Sequence, residues 1–175
     1  MPDHANFEQL YRSHYRRVHG LCRQLLGRAD SADDAAQEAF MRAYRAFDRY
    51  DPKQPFSAWI TTIASRYCID VVRRRAKEAQ LFGDEDVERV EHDSDATSAL
   101  DALAASERAE ELKAAIASLP DKHRIPLVLA YFEDASYDEI ANVLGVTRNH
   151  VGVLILRAKQ ALRRAMQPRP GGESR

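Results

Sequence analysis

Cysteines, glycine-rich loops and long apolar runs are all scarce in this chain, and each scarcity removes a class of protein. Only two cysteines occur, Cys22 and Cys68, far apart in sequence and without a C-x-x-C or His/Cys cluster beside either. Neither a disulfide framework nor a zinc site is expected, which leaves two buried, reduced thiols. The longest apolar run, Ile125 to Phe132, is broken by Pro126 and is far too short to span a bilayer. The N-terminus lacks a basic segment followed by an apolar one, so the chain is expected to stay in the cytosol with no membrane insertion. No G-x-x-x-x-G-K-[ST], G-x-G-x-x-G or H-E-x-x-H is present. Nothing therefore signals an enzyme, no cofactor or metal is called for, and Asp34 with Glu38 reads as a solvated helical face rather than an acid/base pair. Period-two alternation is missing too, which argues against strands.

What is present is 175 residues with 45% hydrophobic content, enough for one good core or two small ones. A formal net charge of -1 conceals a segregation. Residues 1–80 hold 14 Lys+Arg against 10 Asp+Glu, residues 81–118 hold 3 against 11, and residues 119–175 hold 9 against 6. Two basic lobes flank an acidic middle, and basic lobes are what polyanion binding requires.

The texture is helical. Phe7, Leu10, Tyr11, His14, Val18, Leu21, Cys22 and Leu25 recur at steps of three and four, with Gly27 as a stop. Asp30 or Ser31 can cap a second helix whose inner face is Ala35, Ala36, Ala39, Phe40, Ala43, Tyr44 and Phe47. Asp51-Pro52 and Gln54-Pro55 punctuate a loop, and a third helix starts near Phe56. This helix, FSAWITTIASRYCIDVVRRR, carries the only tryptophan and ends in three arginines. Trp59 is assigned mainly to the core, with Phe56, Ile60, Ile63 and Tyr67. The stretch GDEDVERVEHDSDATS that follows is acidic and poor in aromatics, as a flexible linker is. A second helical unit then runs from about Leu100 to Met166, broken at Leu119-Pro120.

Within that unit, SYDEIANVLGVTRNHVGVLILRAKQALRR has the grammar of a helix-turn-helix. Ser136 and Glu139 have capping-box spacing, Ile140, Ala141 and Leu144 face inward, Gly145 ends the short helix, and Thr147 caps a longer one. Arg148, Asn149 and His150 are expected to be exposed at its start.

Two blocks taken together carry a resemblance. Asp33-Asp34 ahead of Gln37-Glu38 and Phe40, next to the arginine-ended tryptophan helix, precede an acidic linker, L-P-x-x-x-R and the helix-turn-helix. In that order the chain resembles regions two and four of an extracytoplasmic-function (group IV) bacterial sigma factor, from about Phe7 to Met166. The resemblance implies an all-α fold of two small helical domains: region two over 1–80, a flexible acidic linker over 81–110, region four over 111–167 and a disordered tail over 168–175. It also implies binding to core RNA polymerase through its β′ clamp helices and β flap, to double-stranded promoter DNA and to single-stranded minus-ten DNA. An anti-sigma factor is left open as a further partner.

Residue by residue, the resemblance places Asp33, Asp34, Gln37 and Glu38 against polymerase. Tyr50, Asp51, Lys53, Gln54 and Arg66 fall at the minus-ten element, with Arg73, Arg74 and Arg75 on phosphates. Thr147, Arg148, Asn149, His150, Val153, Arg157 and Lys159 fall at the minus-thirty-five element, with Val153 offering a thymine-methyl contact. The linker would thread toward the RNA path. Two departures bear on specificity: Arg66 stands where the family commonly has asparagine, and Gly152, Val153 and Leu154 make the recognition helix unusually apolar in its middle. A stand-alone helix-turn-helix regulator would account for residues 136–166 but leaves Asp33 to Arg75 without a purpose.

Overall fold

The three- and four-residue steps from Phe7 to Leu25 become one helix, α1 (His4–Leu26), which ends where Gly27 turns left-handed at φ 67°. The computed structural model describes residues 4–27, 31–76 and 109–167. The expected linker lies outside these apart from its last two residues, and the expected tail lies wholly outside. Every described element is a helix, and the chain divides into two units, Met1–Leu81 and Phe82–Arg175. No described helix is long and apolar enough to cross a membrane.

In the first unit α1 packs against α2 (Ala32–Arg45) and α3 (Phe56–Ala76), which also pack on each other. Helix axes approach as closely as the side chains between them allow. Here α2 contributes methyl groups: Ala32, Ala35, Ala36, Ala39 and Ala43 are each at most 2% exposed. Val18, Leu21 and Leu25 of α1 and Ile60, Ala64, Ile69 and Val72 of α3 are buried as well, where these helices pack on α2 and on each other. Ser31 stands at the N-cap position of α2, where its carbonyl accepts from the Ala35 N–H at 3.1 Å but its side chain makes no capping bond. Its hydroxyl instead accepts from Arg75 Nη2 at 2.7 Å, tying the start of α2 to the end of α3. Asp33 and Asp34 in the first turn stabilise that helix end against its dipole.

Rings close one end of the unit. Phe7 meets Tyr44 and Phe47 edge-on, with centroids 5.1 and 5.2 Å away, and also meets Phe40 and Phe56. In the interior, the two cysteines that are 46 positions apart in sequence come together. Both are buried, and a hydrogen bond between the thiols, reinforced by burial, raises Cys68 far above its ordinary ionisation range.

The second unit contains α4 (Ala109–Ser118), α5 (Asp121–Phe132), α6 (Tyr137–Leu144) and α7 (Arg148–Met166). The first three all pack against α7. The break at Leu119-Pro120 has a buried fastener. Arg124, 4% exposed, donates through Nη1 to the Leu119 carbonyl at 2.8 Å and pairs with Asp121 through Nη2. The arginine of L-P-x-x-x-R thus satisfies a carbonyl that the end of α4 leaves without a helical partner. Helix α5 ends before Asp134, which adopts φ 50°.

Helices α6 and α7 form as their local signals require. The Ser136 hydroxyl accepts from the Glu139 N–H at 3.2 Å, and the Glu139 carboxylate accepts from the Ser136 N–H at 2.7 Å. Gly145 is left-handed at φ 69°, a conformation that costs glycine little, and Val146 N–H closes the turn on the Ala141 carbonyl at 3.1 Å. Thr147 Oγ1 then accepts from the His150 N–H at 3.2 Å and starts α7.

Candidate functional site

Because the inner face of α2 is alanine, its outer face carries the long polar side chains. Asp33, Asp34 and Gln37 are exposed and Glu38 is half-buried. The four do not behave alike. Asp33 turns toward α1, 3.0 Å from His19 Nε2, and accepts from the Tyr15 hydroxyl at 3.3 Å. Burial, with the Asp33 charge second, raises Tyr15 above its ordinary value, so this hydroxyl stays a donor. Glu38 accepts from Arg42 Nε at 2.8 Å, and that guanidinium lies 4.7 Å over the Tyr67 ring of α3. Asp34 and Gln37 are left facing outward.

Met41 was missing from the sequence-derived set, although it follows Gln37 at the i+4 spacing that puts two residues on one helix face. It is 50% exposed and lies on a groove of about 380 Å³ whose lining includes Phe7, Tyr11, Gln37, Phe40 and Tyr44. An acidic face therefore adjoins an apolar shelf.

The loop before α3 is shaped by its own polar groups. One Asp51 carboxylate oxygen accepts from the Lys53 N–H at 3.0 Å, the Asp51 carbonyl accepts from the Gln54 N–H at 3.0 Å, and the Tyr50 hydroxyl donates to the Gln54 carbonyl at 2.6 Å. The side chains of Asp51, Lys53 and Gln54 all lie exposed around this turn. Trp59 departs from its assignment to the core. Only Phe56 and Ile60 of its expected companions are buried, whereas Trp59, Ile63 and Tyr67 are half-buried on the flank. The indole is 4.9 Å from the Tyr50 ring and 5.7 Å from Phe56, because the loop carries Tyr50 back over the first turn of α3.

The arginines of α3 divide between two faces. Arg66 is exposed, and helical spacing puts Arg73 and Arg74 on its side. Arg74 Nε donates to the Asp70 carbonyl at 3.3 Å, and Arg73 lies 3.9 Å from the Asp70 carboxylate. Arg75 points the other way, to Ser31.

Three expectations for α7 are corrected. His150 is 1% exposed, Val153 6% and Lys159 9%, so none lies on an accessible helix face. Burial runs unbroken from His150 to Ile155, all the way round the helix, because α4, α5 and α6 pack on it. Both ring nitrogens of His150 are buried without a hydrogen-bond partner among the described residues, and the Lys159 ammonium lies 5.2 Å over the Tyr131 ring. The signal was in the sequence: a helix that is apolar all round belongs inside. Thr147, Arg148 and Asn149 remain exposed on the first turn, Arg157 is half-buried, and Arg163 and Arg164 are exposed near the end.

Residues 10–78 match the Sigma-70 region 2 family and residues 109–162 match Sigma-70, region 4. The chain is 32% identical over 156 residues to the ECF RNA polymerase sigma factor SigW of Bacillus subtilis, covering 86% of this chain and 83% of that one. It is 33% identical to the RNA polymerase sigma-H factor of Pseudomonas aeruginosa, with 95% and 89% covered. Among solved structures it resembles the sigma factor RpoE of Bartonella quintana, determined in complex with the anti-sigma factor NepR. The TM-score is 0.62 at 20% identity, with 91% of this chain and 96% of that one covered.

Proposed function

The chain belongs to the extracytoplasmic-function sigma factors, which bind core RNA polymerase and direct promoter-specific initiation, and we propose that its exposed faces divide that task. The outer face of α2 docks on the polymerase β′ clamp helices. Asp34, Gln37 and Glu38 supply charge and hydrogen bonds, Asp33 joins them from its place beside His19, and the apolar shelf at Met41 receives a side chain of the partner. The loop from Tyr50 to Gln54 and the Arg66 face of α3 take the minus-ten strand. Unstacked bases suit the half-exposed Tyr50–Trp59 pair, and backbone phosphates suit Arg73 and Arg74. The first turn of α7, with Thr147, Arg148 and Asn149 and with Arg157 behind them, enters the major groove at the minus-thirty-five element. The work takes place in the cytoplasm, and an anti-sigma factor would compete for the same α2 face.

The observation that carries this reading is the two-sidedness of α2. A floor of alanines buried to 2% exposure or less leaves its acidic side with no role in the core. Reversing Asp34 and Glu38 to lysine together should abolish holoenzyme formation with core polymerase while helicity by circular dichroism stays unchanged. Unchanged affinity of the double variant would refute the docking assignment.

A further inference from the structure

Arg148 and Asp138 come from different helices of the helix-turn-helix, and they meet. Arg148 is the first residue of α7, and its Nη1 donates to Asp138 Oδ2 of α6 at 2.6 Å. The side chains are 55% and 70% exposed, so solvent and a groove can reach both. An exposed ion pair of this kind adds little to stability, and folding alone gives no reason for it. The capping box that starts α6 uses Ser136 and Glu139 and leaves the Asp138 carboxylate out.

We propose that Asp138 is a specificity-determining residue which fixes the guanidinium of Arg148 for reading a base in the minus-thirty-five element. This rests on the reading of α7 as the helix that enters the groove. A guanidinium has five N–H donors in a rigid plane, and a guanine edge asks for two of them side by side, at O6 and N7. A carboxylate engaged at Nη1 holds the plane and leaves other N–H groups of the fork pointing away from it. The rotamer freedom of the long side chain is then lost on folding rather than on binding, and preorganisation of this kind raises affinity for the one base pair that fits. The carboxylate also disfavours Arg148 binding to phosphate, since a phosphate approaching the same guanidinium would meet a negative charge. Asp138 thereby biases Arg148 toward base readout over backbone attachment.

The test uses the full-length protein with core polymerase on promoters randomised across the minus-thirty-five element. Arg148→Ala should lower discrimination about tenfold or more at one base pair, the position that Arg148 reads. Asp138→Ala should lower discrimination at that same base pair by about three- to tenfold and leave the other positions unchanged, because Arg148 remains but is no longer held. Asp138→Glu, which keeps the charge, should restore most of it, and the double variant should match Arg148→Ala alone. An Asp138→Ala profile identical to wild type overturns the inference, as does an equal change across all sequences, which would be a general charge effect. If Arg148→Ala alters no base preference, the assignment of Arg148 to readout fails at its root and Asp138 falls with it. Matching helicity and urea midpoints for Asp138→Ala and wild type separate a readout effect from a folding one.

Discussion

Replacing Arg124 with alanine tests whether the L-P-x-x-x-R motif is structural. The side chain is 4% exposed, and its loss removes a charge-assisted hydrogen bond to the Leu119 carbonyl, worth about 1.5–3 kcal/mol. The partner Asp121 is 39% exposed and can rehydrate, so that pair contributes less than about 1 kcal/mol. Truncating the buried aliphatic stem adds about 1–2 kcal/mol. The total, about 3–5 kcal/mol, rivals the whole stability of a unit this small, for which about 3–9 kcal/mol is typical. The molecule carries its own discriminating probe. Trp59, the only tryptophan, lies in the first unit, so its fluorescence follows that unit, whereas far-UV circular dichroism follows both. In urea, the tryptophan transition of Arg124→Ala should coincide with wild type, while part of the dichroism transition moves down by about 2–4 M or is complete before urea is added. Arg124→Lys should be nearly as damaging, because an ammonium cannot reproduce the planar fork. A loss below about 1 kcal/mol, or a lysine variant as stable as wild type, would refute the reasoning.

Two further outcomes follow from buried groups. The Cys22 thiol, with burial, holds Cys68 protonated in the folded unit, whereas an unfolded thiol ionises near pH 8.5, so the folded state retains a proton that the unfolded chain releases. The stabilisation is fully present below about pH 8.5 and declines as pH rises beyond it, by up to about 1.4 kcal/mol per pH unit. Urea midpoints by Trp59 fluorescence should show this slope, and Cys68→Ala should flatten it; an equal slope in that variant would assign it to other groups. His150→Leu replaces two buried ring nitrogens that lack partners among the described residues and should stabilise the second unit by about 1–2 kcal/mol with promoter preference unchanged. A re-ranked set of minus-thirty-five sequences would return His150 to the reading surface.

The features legible in the sequence were those specified by neighbours along the chain. Ser136 and Glu139, Gly145 and Thr147 lie within a few positions of the groups they satisfy, and the structure has all of them in the expected bonds. The all-α class and the family followed from such signals together with the order of the motifs. What stayed hidden depends on partners distant in sequence or on packing from several sides. Nothing local announces that Cys22 lies against Cys68, that Arg75 bonds Ser31, or that Asp138 holds Arg148. The exposure of α7 was misjudged at His150 and Lys159 because polar character was given more weight than packing from the neighbouring helices, and at Val153 because a thymine-methyl contact was given more weight than the apolar run Val151–Ile155 that contains it. Trp59 was placed too deep because the return of Tyr50 over α3 is set by loop bonds that spacing cannot reveal.

The alanine floor of α2 also determines where a genetic screen would find loss of function. At Ala36, Ala39 and Ala43 exposure is zero, so an added methyl group has nowhere to go except by pushing the whole helix outward. Asp34, Gln37 and Glu38 ride on that helix, and a displacement of a fraction of an ångström moves all three relative to any rigid partner at once. If the acidic face docks on polymerase as proposed, substitutions at the buried alanines would thus register as docking defects, and a map of sensitive positions drawn from inheritance alone would run unbroken from Asp34 to Ala39, with the charged side and the methyl side indistinguishable in their effect.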